Sequence, residues 1–191
     1  GSRKKQAAAY AKAGDLAAAS AQAKALVVPA DRVTAWEEIA RELEKRGDFP
    51  AAIVAQETLL GLLGPVHWKR PAAEHHLMTL EERAGTLEAL RDRWQREADE
   101  RPQDAEAALR MVALEKFSEN SSAVLGWMRK AGERRPRDVG LAVETARLAL
   151  SLGELDDAVV ASDRALALRS QDAEVVFLRA ELSALVGNPS E

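Results

Sequence analysis

Residues 44 to 65 read "EKRGDFPAAIVAQETLLGLLGP", a helix-forming run interrupted by Gly47, Asp48 and Pro50. In a helix interior Gly costs about 1 kcal/mol and Pro about 3 kcal/mol. Gly47 to Pro50 therefore reads as a turn with a helix on each side. The break recurs: Gly14-Asp15, Gly47-Asp48, Gly85-Thr86, Gly153-Glu154 and Gly187-Asn188 each close a stretch of helical pattern. Successive breaks lie roughly 34 residues apart, a period that marks a repeat architecture. Two steps differ: the one from Gly47 to Gly85 is a few residues longer, and the one from Gly85 to Gly153 is double. The midpoint of the double step is Glu119, in the turn-prone stretch "KFSENSSAV". Pro102 and Pro136 are separated by the same period.

Within a unit the physics is simple. One helix ends at a Gly, which tolerates the left-handed conformation that closes a helix. A second helix follows and ends before a Pro. Ile39 and Leu43, then Phe49, Ile53, Leu59 and Leu60, lie on stripes of helical spacing. A single hairpin cannot bury both stripes, whereas stacked hairpins can. This predicts eleven helices, over 3–13, 16–27, 31–46, 50–63, 71–84, 86–100, 104–118, 121–134, 138–152, 155–168 and 172–186.

The bulk numbers agree. Of 191 residues, 47% are hydrophobic, 30% charged and 4% aromatic, a composition that can build a packed domain rather than a disordered tail. The net charge of −4 gives no general pull toward nucleic acid or anionic membrane. There is no Cys, so no disulfide framework and no thiol chemistry is expected. No apolar run reaches the ~18 residues of a membrane span. Gly1-Ser2 reads as a cloning scar. Residues 3–191 read as one solenoid domain cut from a larger protein, because the chain enters a helix uncapped at "RKKQAAAYAKAG". The Ala- and Arg-rich composition fits a bacterial protein. A cytoplasmic location is expected, with the periplasm as the alternative.

The units resemble tetratricopeptide repeats. Trp36, Ile39-Ala40, Leu43, Gly47, Phe49 and Ala52 through "ETLLGLLGP" match that family best. Ala146, Ala149, Gly153, Leu155, Ala158 and "RALAL" at 164–168 match well, and Tyr10, Gly14, Leu16 and Ala19 mark a partial first unit. Two units depart from the pattern: Leu90, Val112 and Val124 stand where small residues are expected, and Glu119 stands where Gly is expected. The resemblance implies an all-α, right-handed superhelical solenoid of about five and a half repeats. It also implies close helix crossings at Ala19, Ala52 and Ala158, and a concave groove lined by the first helix of each repeat.

Carried over by position, the amino-terminal groove is charged, with Lys4, Lys12, Glu37, Arg41, Glu44, Lys45, His75, Glu82 and Arg83. The carboxy-terminal groove is mostly apolar, with Leu109, Phe117, Val143, Leu150 and Phe177, and Arg147 as a charge that sets register. These last six are the expected partner contacts. Trp68 is a further candidate contact, since the longer step after Gly47 inserts residues in "GPVHWKRPAA". Trp68 is either displayed as a contact residue or folded back over the seam between repeats. The second is favoured, because a Trp side chain prefers cover.

No catalytic, nucleotide or metal motif is present. His75 and His76 are adjacent on a helix and point about 100° apart, which does not suit a shared metal. The column Lys4, Glu37, His75, Leu109, Val143, Phe177 has no basic ladder for reading RNA. The groove lacks the Asn column that grips chaperone tails in the family. The expected function is therefore a non-catalytic scaffold that holds a partner protein or peptide in its groove, without cofactor, nucleic acid or membrane insertion. Two alternatives are a homo-oligomerisation module built on the apolar last helix and a regulatory arm of a larger enzyme.

Overall fold

Eleven α-helices and no strand make up the described residues of the computed structural model, which are 2–64 and 67–187. In chain order they are α1 (Ser2–Ala13), α2 (Leu16–Lys24), α3 (Pro29–Lys45), α4 (Phe49–Leu62), α5 (Arg70–Ala84), α6 (Leu87–Glu100), α7 (Ala105–Phe117), α8 (Ser121–Arg134), α9 (Val139–Leu152), α10 (Leu155–Leu168) and α11 (Ala173–Gly187). The chain divides into two compact units, Gly1–Asp92 and Arg93–Glu191, and the division falls inside α6. Gly1, Pro65 and Asn188, each named in the sequence reading, lie outside the described residues.

The expected helices are present within a few residues of the predicted bounds. The main difference is between α2 and α3. The predicted helices 16–27 and 31–46 are observed as Leu16–Lys24 and Pro29–Lys45. Pro29 occupies the first turn of α3, where its missing N–H costs nothing. The residue before a proline is driven to extended backbone, and Val28 has φ −77° and ψ 122°.

The turn inside each hairpin is built the same way five times. Gly14, Gly47, Gly85, Glu119 and Gly153 have φ of 86°, 75°, 73°, 56° and 77°. The next residue donates its N–H back to the helix just ended: Asp15 to Tyr10, Asp48 to Leu43, Thr86 to Glu81, Asn120 to Glu115 and Glu154 to Ala149, at 2.8–3.1 Å. This pairing satisfies carbonyls that the end of a helix would leave orphaned. In three turns that same residue also caps the second helix. Asp15, Asp48 and Asn120 accept from the N–H of Ala18, Ala51 and Ala123 at 2.8, 3.2 and 3.2 Å. Glu119 thus takes the place of the missing Gly.

A second repeated turn joins hairpins in the carboxy-terminal unit. "RPQD" at 101–104, "RPRD" at 135–138 and "RSQD" at 169–172 recur at the repeat period. Asp104, Asp138 and Asp172 each donate their N–H to the carbonyl of the Arg that opens the turn, at 2.9, 3.0 and 3.2 Å. Their carboxylates accept from Glu106, Leu141 and Glu174 at 2.9, 3.0 and 3.0 Å. In the amino-terminal unit the corresponding residues, Val28 and Lys69, make no side-chain cap.

Small residues set how closely the helices approach. Ala19, Ala52 and Ala158 are fully buried, and Ala7, Ala11, Ala35, Ala40 and Ala55 join Ile39, Leu43 and Leu59 in the amino-terminal core. In the carboxy-terminal unit Leu125, Ala146, Ala149, Leu178 and Leu182 form the corresponding cluster. The helix α11 buries Val175, Leu178 and Leu182. Arg179 ties it to α10 by an ion pair with Asp163 at 2.5 Å.

Two outcomes test this account. Ala52→Leu adds volume where there is none, and should destabilise by about 1–3 kcal/mol; an unchanged thermal melt would contradict the close crossing. Glu119→Gly relieves a left-handed Glu on an exposed turn, and should stabilise by about 1 kcal/mol. A denaturant midpoint that does not rise, at unchanged m-value, would show that Glu119 bears no strain.

Candidate functional site

The carboxy-terminal unit places three of the expected contact residues in one cleft. Arg147 and Leu150 on α9 and Phe177 on α11 line a space of about 590 Å³, with Ser151, Ala173 and Glu174 beside them. Helical spacing explains the arrangement. Arg147 and Leu150 share a face of α9, and Glu174 and Phe177 share a face of α11. Phe177 is 71% exposed, an unusual position for a Phe side chain.

The other expected residues sit differently. Val143 and Leu150 are half-buried and pack against the apolar cluster around Ala146 and Leu178, and Val143 also touches the one around Ala142 and Val175. Of the two, Leu150 also lines the cleft, whereas Val143 does not. Leu109 and Phe117 are half-buried on α7. Arg147 pairs with Glu174 at 2.7 Å, and both side chains are more than half exposed. A pair in that setting stabilises by only about 0–1 kcal/mol, so its effect is to fix where the guanidinium stands.

Sequence reading missed the partners of these charges. Lys116 on α7 reaches Glu144 on α9 at 3.5 Å, and Arg147 on α9 reaches Glu174 on α11 at 2.7 Å. The signal was there: a separation of one repeat less two helical turns brings side chains of neighbouring first helices together. Lys116, Glu144 and Arg147 line an adjoining cleft of about 450 Å³, floored by Val124, Met128 and Leu148.

The amino-terminal unit corrects the expectation for Trp68. It does not fold back over the seam; it is 80% exposed. Its neighbours hold it there. Lys69 grips both oxygens of Glu37 on α3, at 2.8 and 3.0 Å. Arg70 donates to the carbonyls of Leu63 and Leu60, at the end of α4, and to Glu74 at 2.9 Å. The His67 ring stacks on Trp68 at 6.1 Å, and the Lys69 ammonium stands 5.5 Å from the indole. With Lys69 and Arg70 tied down, covering the indole would require breaking charged contacts.

Below Trp68 is a cleft of about 330 Å³ with Leu59, Ala72 and Ala73 among its lining residues and Arg41 and His76 at its walls. A polar relay stiffens the wall. The buried Gln56 amide donates to the Ala73 carbonyl at 2.7 Å, which turns its oxygen toward His76 Nδ1, 3.2 Å away. His76 Nε2 lies 3.0 Å from Glu44, whose other oxygen accepts from Arg83 at 2.5 Å. Three helices, α3, α4 and α5, meet in this relay. Among the described residues no cluster of three His, Asp or Glu side chains suits a metal ion, and no helix is long and apolar enough to cross a membrane.

No family model matches the chain, and no curated protein matches it. Among solved structures it is similar to a crystal structure of MamA, with 15% identity, coverage of 81% of this chain and 82% of that chain, and a TM-score of 0.47. The MamA AMB-1 structure gives 16% identity, 82% and 83% coverage and a TM-score of 0.49, and the MamA MSR-1 structure gives 17%, 82% and 87% and 0.46.

Proposed function

We propose that the chain is a non-catalytic, tetratricopeptide-like scaffold that holds a segment of a partner protein in the cleft between α9 and α11. The observation that carries this reading is Phe177, displayed at a cleft whose other apolar walls are already shaped. An apolar anchor from a partner would cover Phe177 and Leu150, while the Arg147–Glu174 pair offers one charge of each sign to orient it. Helix-in-groove recognition uses such anchors.

The clean test is Phe177→Glu and Arg147→Glu, made singly, because both side chains are exposed and neither holds the core. Val143→Glu would confound binding with folding, since Val143 packs on both clusters. Covering an exposed Phe is worth about 1.5–3 kcal/mol, so Phe177→Glu should weaken the partner complex by at least about tenfold with the circular dichroism unchanged. Wild-type affinity in the folded Phe177→Glu protein would sink the proposal.

A second reading rests on Val176, Leu185 and Val186, which are also exposed on α11. It takes the last helix as a self-association surface. Sedimentation at rising concentration separates the two: the scaffold reading expects a constant monomer mass, and a mass that climbs and is reset by Val186→Glu would favour pairing of two copies.

A further inference from the structure

In the amino-terminal unit several charges on the first helices are already spent on near neighbours. Lys4 pairs with Asp31 at 2.7 Å, Lys69 with Glu37 at 2.8 Å, Lys45 with Glu42 at 2.6 Å, and Arg83 with Glu44 at 2.5 Å. Arg41 is the exception at the Trp68 cleft. It is exposed, lines that cleft, and makes no hydrogen bond or ion pair among the described residues. It also belongs to a basic patch. The Glu42 carboxyl is held below its ordinary range, first by its hydrogen bond to Lys45, then by the nearby charges of Lys45, Lys12 and Arg41. Burial opposes that shift.

The cleft therefore offers three things together: a flat aromatic face held open to solvent, an apolar floor, and a guanidinium that makes no hydrogen bond or ion pair among the described residues. We infer that this cleft is a second binding site, and that its occupant is a short acidic peptide segment in which a proline or aromatic residue lies next to a carboxylate. The ring of the occupant stacks on Trp68, where an indole face gains from aromatic and proline contacts. Its carboxylate pairs with Arg41, whose planar fork suits two-pronged recognition of that group. A peptide is favoured over a small free acid because the platform and the cation serve two different groups, and only a segment carries both. The ordering cost is small, since Lys69, Arg70 and the Gln56–His76–Glu44 relay already fix the walls.

The site can be read directly by fluorescence. Trp36, Trp94 and Trp127 are buried, so acrylamide quenching of this protein reports mainly on Trp68. The probe is the peptide acetyl-Ser-Glu-Pro-Phe-Ser-amide, with versions carrying Gln or Lys in place of Glu, and succinate as a small acid. The Glu peptide should protect Trp68 from quenching and bind about tenfold more tightly than the Lys peptide. Arg41→Glu, checked for folding by circular dichroism, should reverse that preference. Trp68→Ala should weaken the Glu peptide about tenfold in calorimetry. The inference is overturned if no peptide protects Trp68 at millimolar concentration, if the Glu and Lys peptides bind alike to the wild type, or if succinate protects as well as the peptide does.

Discussion

The structure depends on one local constraint: a single residue in the left-handed conformation, followed at once by the residue that starts the next helix. At Gly14, Gly47, Gly85, Glu119 and Gly153 the chain reverses with no slack. The bond from the following N–H back to a carbonyl in the last turn locks the end of one helix. Where that same residue is Asp or Asn, it also caps the start of the next. Two residues thus set the relation between two helices. Alanine then lets the pair close. Ala52 on α4 and Ala158 on α10 leave no side-chain bulk between the helices, and within each unit burial of the stripes holds the hairpins together.

This constraint explains why so much of the fold was legible. Turn positions were visible as Gly followed by Asp, Thr or Glu, and helix bounds followed from them. Even Glu119 was located by spacing, although its residue type argued against a left-handed turn. What was not legible came from interactions that no local pattern encodes. Trp68 was expected to be covered, because apolar area favours burial; the contacts of Lys69 and Arg70 win instead, since they fix its neighbours to α3 and α4. Val143 and Leu150 were read as groove residues from their positions. In the structure they also pack into the core, which position alone cannot separate from exposure to a partner.

The candidate sites show the same division. Phe177 and Leu150 could be named from spacing because α9 and α11 belong to the regular part of the chain, where the Arg-x-x-Asp turns recur at a constant period. Glu174 could not, because its relevance comes from Arg147, a residue of the neighbouring repeat. The relay from Gln56 to Arg83 was equally hidden. Each residue in it reads alone as an ordinary helical polar residue, and only the stacking of α3, α4 and α5 brings them into line.

Repetition also indicates where specificity can reside. A turn that recurs unchanged contributes the same surface at each copy, so it cannot mark one place on the chain as different from another. The departures can. The longer step from Gly47 to Gly85 extends one connection, lacks the Asp cap found at the later turns, and places Trp68 beside the tethered Lys69 and Arg70. At α11 the spacing stays regular and what differs is exposure: Phe177 has apolar walls on one side and solvent on the other. In both places an apolar side chain is held in water by contacts that stabilise its surroundings rather than itself. That arrangement gains free energy only when something else covers the side chain, which is why the two proposed sites rest on exposed apolar side chains, Trp68 and Phe177, and not on the recurring turns.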